Sequence, residues 1–352
     1  MFICTSPSPA AVPRQGPRRV GFRIGASGGH GTPVSHERRD AVIAGVNKAG
    51  TTSLFVALSE HPDLAPSAVK ETRFFLPARY GQPLEPTSVW EEYFAGAPAD
   101  AAVRLEATPS YVYGGADVAR AMQGVLREPH AIFVLREPVS RAISFFTYQK
   151  VRLRIPAEQP IAEYLAHADS LGPDAFADAA NEPWFAVGGG CYADYLPGWI
   201  DTFGADRVLV VDFDRWVDDQ LAVRDEVAAW LGLDPAAFPA HDDASENRTT
   251  GYKSAGLQKV ALAGNDRLER VFRRHPAVKR KLRSLYYRVN GRSASEEIPE
   301  AVRDDLARRY EEPNTRLAAL LRANGLTVPG WLADQVPAGT DSGSGAGSAS
   351  GG

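Results

Sequence analysis

Four short, mostly apolar runs recur along the chain, separated by longer stretches in which apolar residues follow a helical spacing. The runs cover residues 41–44, 102–106, 131–135 and 207–211. The run 131–135 is apolar at every position, which is typical of a strand covered on both faces of a parallel sheet. The pattern therefore predicts the strands of one buried sheet.

The stretches between these runs predict helices. Leu54, Phe55 and Leu58 recur at helical spacing after Thr51. Further helices are predicted around Trp90, over 117–126, after Arg136, over 192–203, over 221–231 and from Pro299 onward. Strands that alternate with helices indicate an α/β fold with a three-layer parallel sheet. Ligands of such folds bind at the carboxyl ends of the strands.

A glycine-bounded loop follows the first predicted strand. Gly45 and Gly50 bound this loop, Lys48 lies inside it, and the hydroxyl residues 51–53 open the next helix. Backbone N–H groups and the helix dipole make such a helix start attractive to anions. A nucleoside-triphosphate P-loop has a lysine directly after its second glycine, where this chain has Thr51. The loop therefore predicts P-loop-like anion binding without a magnesium triphosphate, the alternative being an ordinary turn with a solvated lysine.

A second anion-binding group follows another predicted strand. Arg136 comes directly after the run 131–135, and Ser144 lies two turns into the next helix. A guanidinium fork and a hydroxyl suit a phosphate group. The alternative is a structural salt bridge from Arg136 to Glu137 or Asp212.

The composition limits the class of protein. With 352 residues, 44% of them hydrophobic, the chain can form one large α/β domain or two modest ones. Its net charge of −4 argues against general nucleic-acid binding. Two distant cysteines without a disulfide or metal pattern favour a reducing cytoplasm. No apolar run approaches the ~20 residues of a membrane span. A disordered arm over 1–39, a folded domain over 40–335 and a disordered Gly/Ser tail over 336–352 are predicted.

Four blocks of sequence follow one another in a specific order. They are Gly45-Val-Asn-Lys-Ala-Gly-Thr-Thr-Ser53, Lys70-Glu71 with Phe74-Phe75, Glu106-Ala-Thr-Pro-Ser-Tyr111, and Leu135-Arg-Glu-Pro-Val-Ser-Arg-Ala-Ile-Ser144. Together they resemble the sulfotransferases, and within them the heparan-sulfate branch and its bacterial relatives. The resemblance covers residues 40–235 and extends more loosely to Trp331. It implies transfer of sulfonate from 3′-phosphoadenosine 5′-phosphosulfate (PAPS) to a hydroxyl or an amine.

The resemblance also implies roles for individual residues. The 5′-phosphosulfate would be held by Lys48, Ala49, Gly50, Thr51, Thr52 and Ser53. Arg136 and Ser144 match the 3′-phosphate clamp, and Glu71 matches the general base of the heparan-sulfate branch. Lys48 would offset charge on the leaving phosphate, so that no metal is required. Arg248 and Lys253 match loosely a loop that closes over the donor, with solvated loop charges as the alternative.

Several residues keep two interpretations. Glu71 could form a surface ion pair with Lys70 or Arg73 rather than act as a base. Glu106 could be an acidic group near the acceptor, but we favour a strand-end residue that satisfies a turn. Ala107 stands where the animal enzymes usually have a lysine, which weakens the case for a highly sulfated polysaccharide acceptor.

The aromatic stripe over 192–203 is predicted to be core rather than acceptor wall. The basic segment 268–289 is predicted to be a solvated face, the alternative being that it docks an acidic acceptor or a membrane surface.

Three functions compete. The first is a sulfotransferase acting on a carbohydrate, a glycolipid or a small natural product. The second is a P-loop kinase or NTPase, which needs a lysine at position 51 and an acidic strand end for magnesium, for which Asp212 is the candidate. The third is a nucleotide-binding protein without activity. The Ala-, Arg- and Asp-rich composition further suggests a bacterial, secondary-metabolic context.

Overall fold

A five-stranded parallel sheet forms the centre of the molecule. The computed structural model describes residues 38–98, 100–240, 250–252, 291–293 and 297–335. The strands are β1 Arg39–Gly45, β2 Leu64–Pro66, β3 Val103–Ala107, β4 His130–Leu135 and β5 Val208–Asp212. Their order is β2-β3-β1-β4-β5, and every neighbouring pair is parallel.

Helices cover both faces of this sheet. Successive residues of β1, β3 and β4 point to opposite faces of the sheet, and nearly all of them are buried. Both faces of the sheet are therefore covered. The helices are α1 Thr51–Leu58, α2 Leu76–Arg79, α3 Thr87–Glu92, α4 Gly115–Gln123, α5 Pro138–Val151, α6 Ile161–Leu171, α7 Leu196–Phe203, α8 Phe213–Asp218, α9 Gln220–Trp230, α10 Glu300–Ala323 and α11 Gly330–Gln335. The short strands β6 Thr250–Tyr252 and β7 Gly291–Ser293 pair antiparallel. The predicted three-layer α/β fold is confirmed.

Strand β2 was not predicted. It has only three residues, too few to show a periodic pattern, and it ends at Pro66. Because proline cannot donate a hydrogen bond to a sheet, it is tolerated at an edge such as this one.

The helix predicted over 192–203 begins later than expected. Residues Tyr192–Asp194 form a 3-10 turn, and α7 starts at Leu196 with Pro197 in its first turn. Proline fits the first turn of a helix because its missing N–H would have no partner there. Trp199 and Phe203 are fully buried, as expected of core residues.

A buried ion pair joins two central strands. Arg104 donates from Nε to Asp40 Oδ1 at 2.6 Å and from Nη2 to Asp40 Oδ2 at 3.1 Å. The two residues are register partners on β3 and β1, and both are buried. The exposed Glu91 accepts a further hydrogen bond from Arg104. The pair fixes the register of β1, the strand that leads into the glycine-bounded loop.

Part of the sequence-based prediction falls elsewhere. Arg248, Lys253 and the basic segment 268–289 lie outside the described residues, as do residues 1–37 of the N-terminal arm and the tail 336–352. No helix within the described ranges is long and apolar enough to cross a membrane.

Candidate active site

The predicted anion-binding residues meet at one edge of the sheet. The glycine-bounded loop follows β1, Arg136 follows β4 and Glu106 lies at the end of β3. These three strands are adjacent in the order β3-β1-β4 and run in the same direction, so their carboxyl ends share one edge. The site therefore lies where ligands of parallel α/β folds bind.

The loop is shaped by a left-handed residue at its end. Gly50 precedes α1 with φ of 72°, and a Cβ there would lie 3.1 Å from the Trp216 ring and 3.2 Å from the Phe213 ring. Both the conformation and the close approach favour glycine. No side chain caps α1, so its first N–H groups face the loop, as an anion-binding helix start requires. Ser53 donates to the Gly50 carbonyl at 2.7 Å and accepts from the Trp216 indole at 3.0 Å.

Two arginines hold the loop that carries Lys48. Arg136 donates to the carbonyl of Lys48 at 3.0 Å, and Arg141 donates from Nε to the carbonyl of Asn47 at 3.3 Å. Lys48 itself has a φ of 72°, and its ammonium lies 4.6 Å from the ring centre of Tyr148. Burial, followed by the charges of Arg136 and Arg141, lowers the pKa of Lys48 to about 8. Three cationic side chains thus converge on one short loop.

The structural salt bridge considered for Arg136 does not form. Glu137 instead caps α5 by accepting from the N–H groups of Val139 and Ser140 at 2.8 and 2.7 Å. Asp212 accepts from the N–H of Gly330 at 2.8 Å. The guanidinium of Arg136 lies over the ring of Phe213, 4.6 Å from its centre.

Ser144 and the other hydroxyl residues take separate positions. Ser144 is half-buried on α5 and forms no hydrogen bond with Arg136. Thr51 is buried at the start of α1, whereas Thr52 is exposed. The structure therefore brings Lys48, Gly50 and Arg136 together, with Ser144 two helical turns away along α5.

Glu71 lies in the loop between β2 and α2, flanked by two cations. Lys70 Nζ is 3.7 Å from one carboxylate oxygen, and Arg73 Nη2 is 3.6 Å from the other. The Glu71 side chain is 30% exposed, so an acceptor group can reach it. Burial lowers the pKa of Lys70, against the opposing charges of Glu71 and Glu106. The ion-pair interpretation of Glu71 is therefore realised in the structure, in a geometry that still leaves the carboxylate accessible.

Glu106 is buried beneath this loop. Its Oε1 accepts from the N–H of Thr72 at 3.0 Å, from the hydroxyl of Thr72 at 3.1 Å and from the hydroxyl of Thr108 at 2.6 Å. Burial raises the pKa of Glu106 to about 7, although these hydrogen bonds and Lys70 oppose the rise. The turn that Glu106 satisfies is thus the one that carries Glu71.

Sequence reasoning missed Arg141 as a member of the site. This residue lies inside the quoted Leu135–Ser144 block, on a helix face with the buried residues Ala142, Phe145 and Phe146. A charged residue on a buried apolar face was the available signal, because such a charge needs partners. Here they are the carbonyls of Asn47 and Ala186, the latter at 2.7 Å. Among the described residues, no group of three or more His, Cys, Asp or Glu side chains could hold a metal ion.

The geometry defines an α/β protein with three cationic side chains at the loop after β1 and an accessible carboxylate in the loop after β2. No family model matches the chain. Heparan sulfate glucosamine 3-O-sulfotransferase 6 of Mus musculus is 30% identical over 296 residues, which are 81% of this chain and 80% of that protein. Its Homo sapiens counterpart is 29% identical, with 72% of this chain and 70% of that protein covered. The chain therefore belongs to the sulfotransferase family and is a sulfotransferase.

More distant comparisons agree with the fold. The bifunctional heparan sulfate N-deacetylase/N-sulfotransferase 1 of Caenorhabditis elegans is 24% identical over 84% of this chain, which spans 31% of that larger protein. The crystal structure of a sulfotransferase from Alicyclobacillus acidocaldarius matches with a TM-score of 0.58 and 21% identity. That match covers 81% of this chain and 96% of the bacterial one.

Proposed function

We propose that the enzyme transfers sulfonate from PAPS to a hydroxyl or amine of a carbohydrate or glycolipid, or of a natural product of similar polarity, with Glu71 as general base. The observation that carries this proposal is the convergence of Lys48, Arg136 and Arg141 on the loop after β1. A partly buried cluster of like cationic charges attracts an anion. A phosphosulfate and a separate phosphate are anions of the required charge.

The residues present fit the donor. Lys48 and the N–H groups of residues 49–53 would bind the 5′-phosphosulfate, because the start of α1 has no side-chain cap. Arg136 and Ser144 would bind the 3′-phosphate. When bound, the donor supplies an activated sulfonate.

The chain's own residues would then serve the transfer. Lys48 would offset the charge that develops on the leaving phosphate oxygen. Glu71 would take the proton of the acceptor hydroxyl or amine. Lys70 and Arg73, at 3.7 and 3.6 Å, orient this carboxylate in the absence of the acceptor.

A carbohydrate acceptor is supported by the names of the similar proteins, which act on heparan sulfate. The helix after the Glu71 loop adds a second support. Arg79 and Tyr80, at the end of α2, are half-buried, and the Arg79 guanidinium lies 5.2 Å from the Tyr80 ring centre. A guanidinium and an aromatic side chain offer the hydrogen bonds and stacking that a sugar ring uses.

The kinase interpretation has less support. Asp212, its candidate magnesium ligand, caps α8 by accepting from Asp214 and also holds Gly330. Position 51 is a buried threonine rather than a lysine.

We also propose that the enzyme works in the cytoplasm, as the cysteine content suggests.

Calorimetric titration tests the donor. We expect 3′-phosphoadenosine 5′-phosphate (PAP) to bind and ATP with magnesium to bind far more weakly. Arg136→Ala should abolish PAP binding, whereas the matched control Arg120→Ala, an exposed arginine paired with Asp117 on α4, should leave it unchanged. Binding of ATP with magnesium alone would refute the proposal.

Glu71→Gln tests the catalytic carboxylate. The substitution preserves size and removes the base, so transfer of labelled sulfonate from PAPS to heparan sulfate should fall about 10²–10⁴-fold while PAP affinity is retained. The control Glu226→Gln changes an exposed carboxylate paired with Arg215 and should transfer normally. Normal transfer by Glu71→Gln would show that this residue is not the base.

A further inference from the structure

We propose that Glu106, Thr108 and Tyr111 form a clamp that positions Glu71 relative to the glycine-bounded loop 45–50, here called the donor loop, with Glu106 as its central residue. This inference rests on the proposed role of Glu71 as the general base. The three residues come from one segment that continues β3, and they contact one loop, residues 70–75. We call them the β3 clamp.

The β3 clamp binds the backbone of the loop directly after Glu71. The N–H of Thr72 donates to Glu106 Oε1 at 3.0 Å, and the N–H of Arg73 donates to Thr108 Oγ1 at 3.2 Å. The N–H of Phe75 donates to the hydroxyl of Tyr111 at 3.1 Å. Backbone N–H groups in a loop need such partners when they are buried, because water cannot reach them.

The remaining N–H of this stretch depends on Glu106 indirectly. Phe74 donates to the Thr72 hydroxyl at 3.4 Å, and that hydroxyl donates to Glu106 Oε1 at 3.1 Å. Four successive N–H groups, those of residues 72–75, thus rely on the β3 clamp. Since the backbone is fixed from Thr72 onward, the direction of the Glu71 side chain is restricted at its origin.

The clamp also ties Glu71 to the donor loop through the sheet. Glu106 and Ala107 are register partners of Val42 and Ile43 on β1. Strand β1 leads within a few residues to Lys48. A rigid pair of adjacent strands therefore sets the base and the anion-binding loop relative to one another, which is what in-line transfer between two bound molecules requires.

The charge of Glu106, and not only its hydrogen bonds, can act on Glu71. Its second oxygen, Oε2, is buried and has no hydrogen-bond partner in the described part of the chain. In the described part of the chain, Lys70 and Tyr111 are titratable groups that interact with Glu106. The charge of Lys70 acts on both Glu71 and Glu106. A change in the charge of Glu106 is therefore felt at the ion pair that orients Glu71.

Hydrogen exchange tests the clamp without any acceptor. In Glu106→Ala, the peptide spanning 70–76 should exchange about tenfold faster or more, because buried N–H groups lose their acceptor. PAP affinity should stay within about twofold, since the donor loop is intact. Glu91→Gln is the matched control, since Glu91 also bonds a β3 side chain, Arg104, but not residues 70–75. Unchanged exchange in Glu106→Ala would overturn the inference.

Kinetics test the effect on the reaction, with transfer from PAPS to heparan sulfate as the probe. Glu106→Ala should lower kcat about 10–100-fold with little change in the KM for PAPS, because a misplaced base slows only the chemical step. Glu106→Gln keeps an oxygen for Thr72 and Thr108, so its kcat should fall less, and a step near pH 7 in the wild-type kcat profile should be lost. A wild-type kcat in Glu106→Ala would contradict the inference.

A second clamp variant guards against misfolding. Thr108→Val removes the hydroxyl that bonds both Glu106 and Arg73 and should reproduce the faster exchange in weaker form. Failure of the wild type to bind PAP would refute the proposed function, and full activity of Glu71→Gln would refute the role of Glu71 on which this inference rests. The exchange result would still decide whether the clamp exists.

Discussion

Lys48 and the two arginines that surround it form the most unusual feature at the scale of single residues. The backbone of Lys48 is left-handed, a conformation that costs roughly 1–2 kcal/mol in a residue with a Cβ. The carbonyls of Asn47 and Lys48 accept hydrogen bonds from Arg141 and Arg136, which hold this conformation in place. The strain is thus located in the loop that the proposed function assigns to the donor.

Binding of PAP should be linked to protonation of Lys48. The pKa of Lys48 is lowered to about 8, by burial first and then by Arg136 and Arg141. A bound phosphate favours the charged lysine and raises this pKa, so the complex should take up about half a proton at pH 8 and its affinity should fall as the pH rises further. Phosphate groups, with a second pKa of about 6, are already ionised there.

Calorimetry of PAP binding at pH 8 in two buffers with different ionisation enthalpies measures this uptake. The control is Lys150→Met, which removes a lysine near the other end of α5, where its ammonium donates to the Gln159 carbonyl, and should leave the uptake unchanged. Binding without net proton exchange at pH 8 would contradict the lowered pKa of Lys48.

At the scale of secondary-structure elements, the pairing of β1 with β3 sets the geometry of the site. Asp40 and Arg104 face one another across this pair with two hydrogen bonds of 2.6 and 3.1 Å. Asp40 also accepts from the N–H of Arg127, at the connection between α4 and β4. The carboxylate therefore links three neighbouring elements below the loop that carries Lys48.

Asp40→Ala should lower the free energy of unfolding by about 3–5 kcal/mol, because it leaves the buried Arg104 with only the exposed Glu91 as a counter-charge. Urea unfolding followed by circular dichroism measures the change. The control Asp117→Ala breaks an exposed pair with Arg120 and should cost less than about 1 kcal/mol. An equally small loss in Asp40→Ala would show that the ion pair is dispensable.

At the scale of the whole molecule, the buried carboxyl of Glu106 should make stability depend on pH. Burial raises its pKa to about 7 from an ordinary value of 4.5. At a pH between 4.5 and about 7, the folded protein therefore holds a proton on Glu106 that the unfolded chain has already lost. This contribution to stability is fully present below about pH 4.5 and disappears as the pH rises through about 7.

The difference between wild type and Glu106→Gln isolates this effect from other titrating groups. We expect the stability of wild type relative to the variant to decline from pH 4.5 to 7 and to level off above. Urea unfolding at a series of pH values measures both proteins. Parallel curves over this window would mean that Glu106 does not change its charge there.

Much of the fold and part of the site were predictable because they depend on local pattern. Apolar runs marked β1, β3, β4 and β5, and the alternation with helices gave the parallel architecture. Strand β2 was missed because three residues carry no period. Lys48 and Arg136 could be named because each lies in or next to a strand end whose chemistry is visible in sequence.

The sequence indicated that Glu106 satisfies a turn, but the loops that Glu106 and Arg141 contact could not be read from it. Arg141 bonds Asn47, 94 positions earlier, and Glu106 bonds Thr72, 34 positions earlier. Spacing along a chain reports which face of a helix or strand a residue occupies, but not which distant loop will lie against that face.

The sequence by itself determined the strands β1, β3, β4 and β5, the glycine-bounded loop and the kinds of side chain that bind anions, because these follow from local sterics and periodicity. Only the tertiary structure decided the strand order β2-β3-β1-β4-β5, and with it the meeting of Lys48, Arg136 and the Glu71 loop at one edge. Strand order follows from how all the helices cover the sheet together. It is therefore a property of the packed chain and of no single segment.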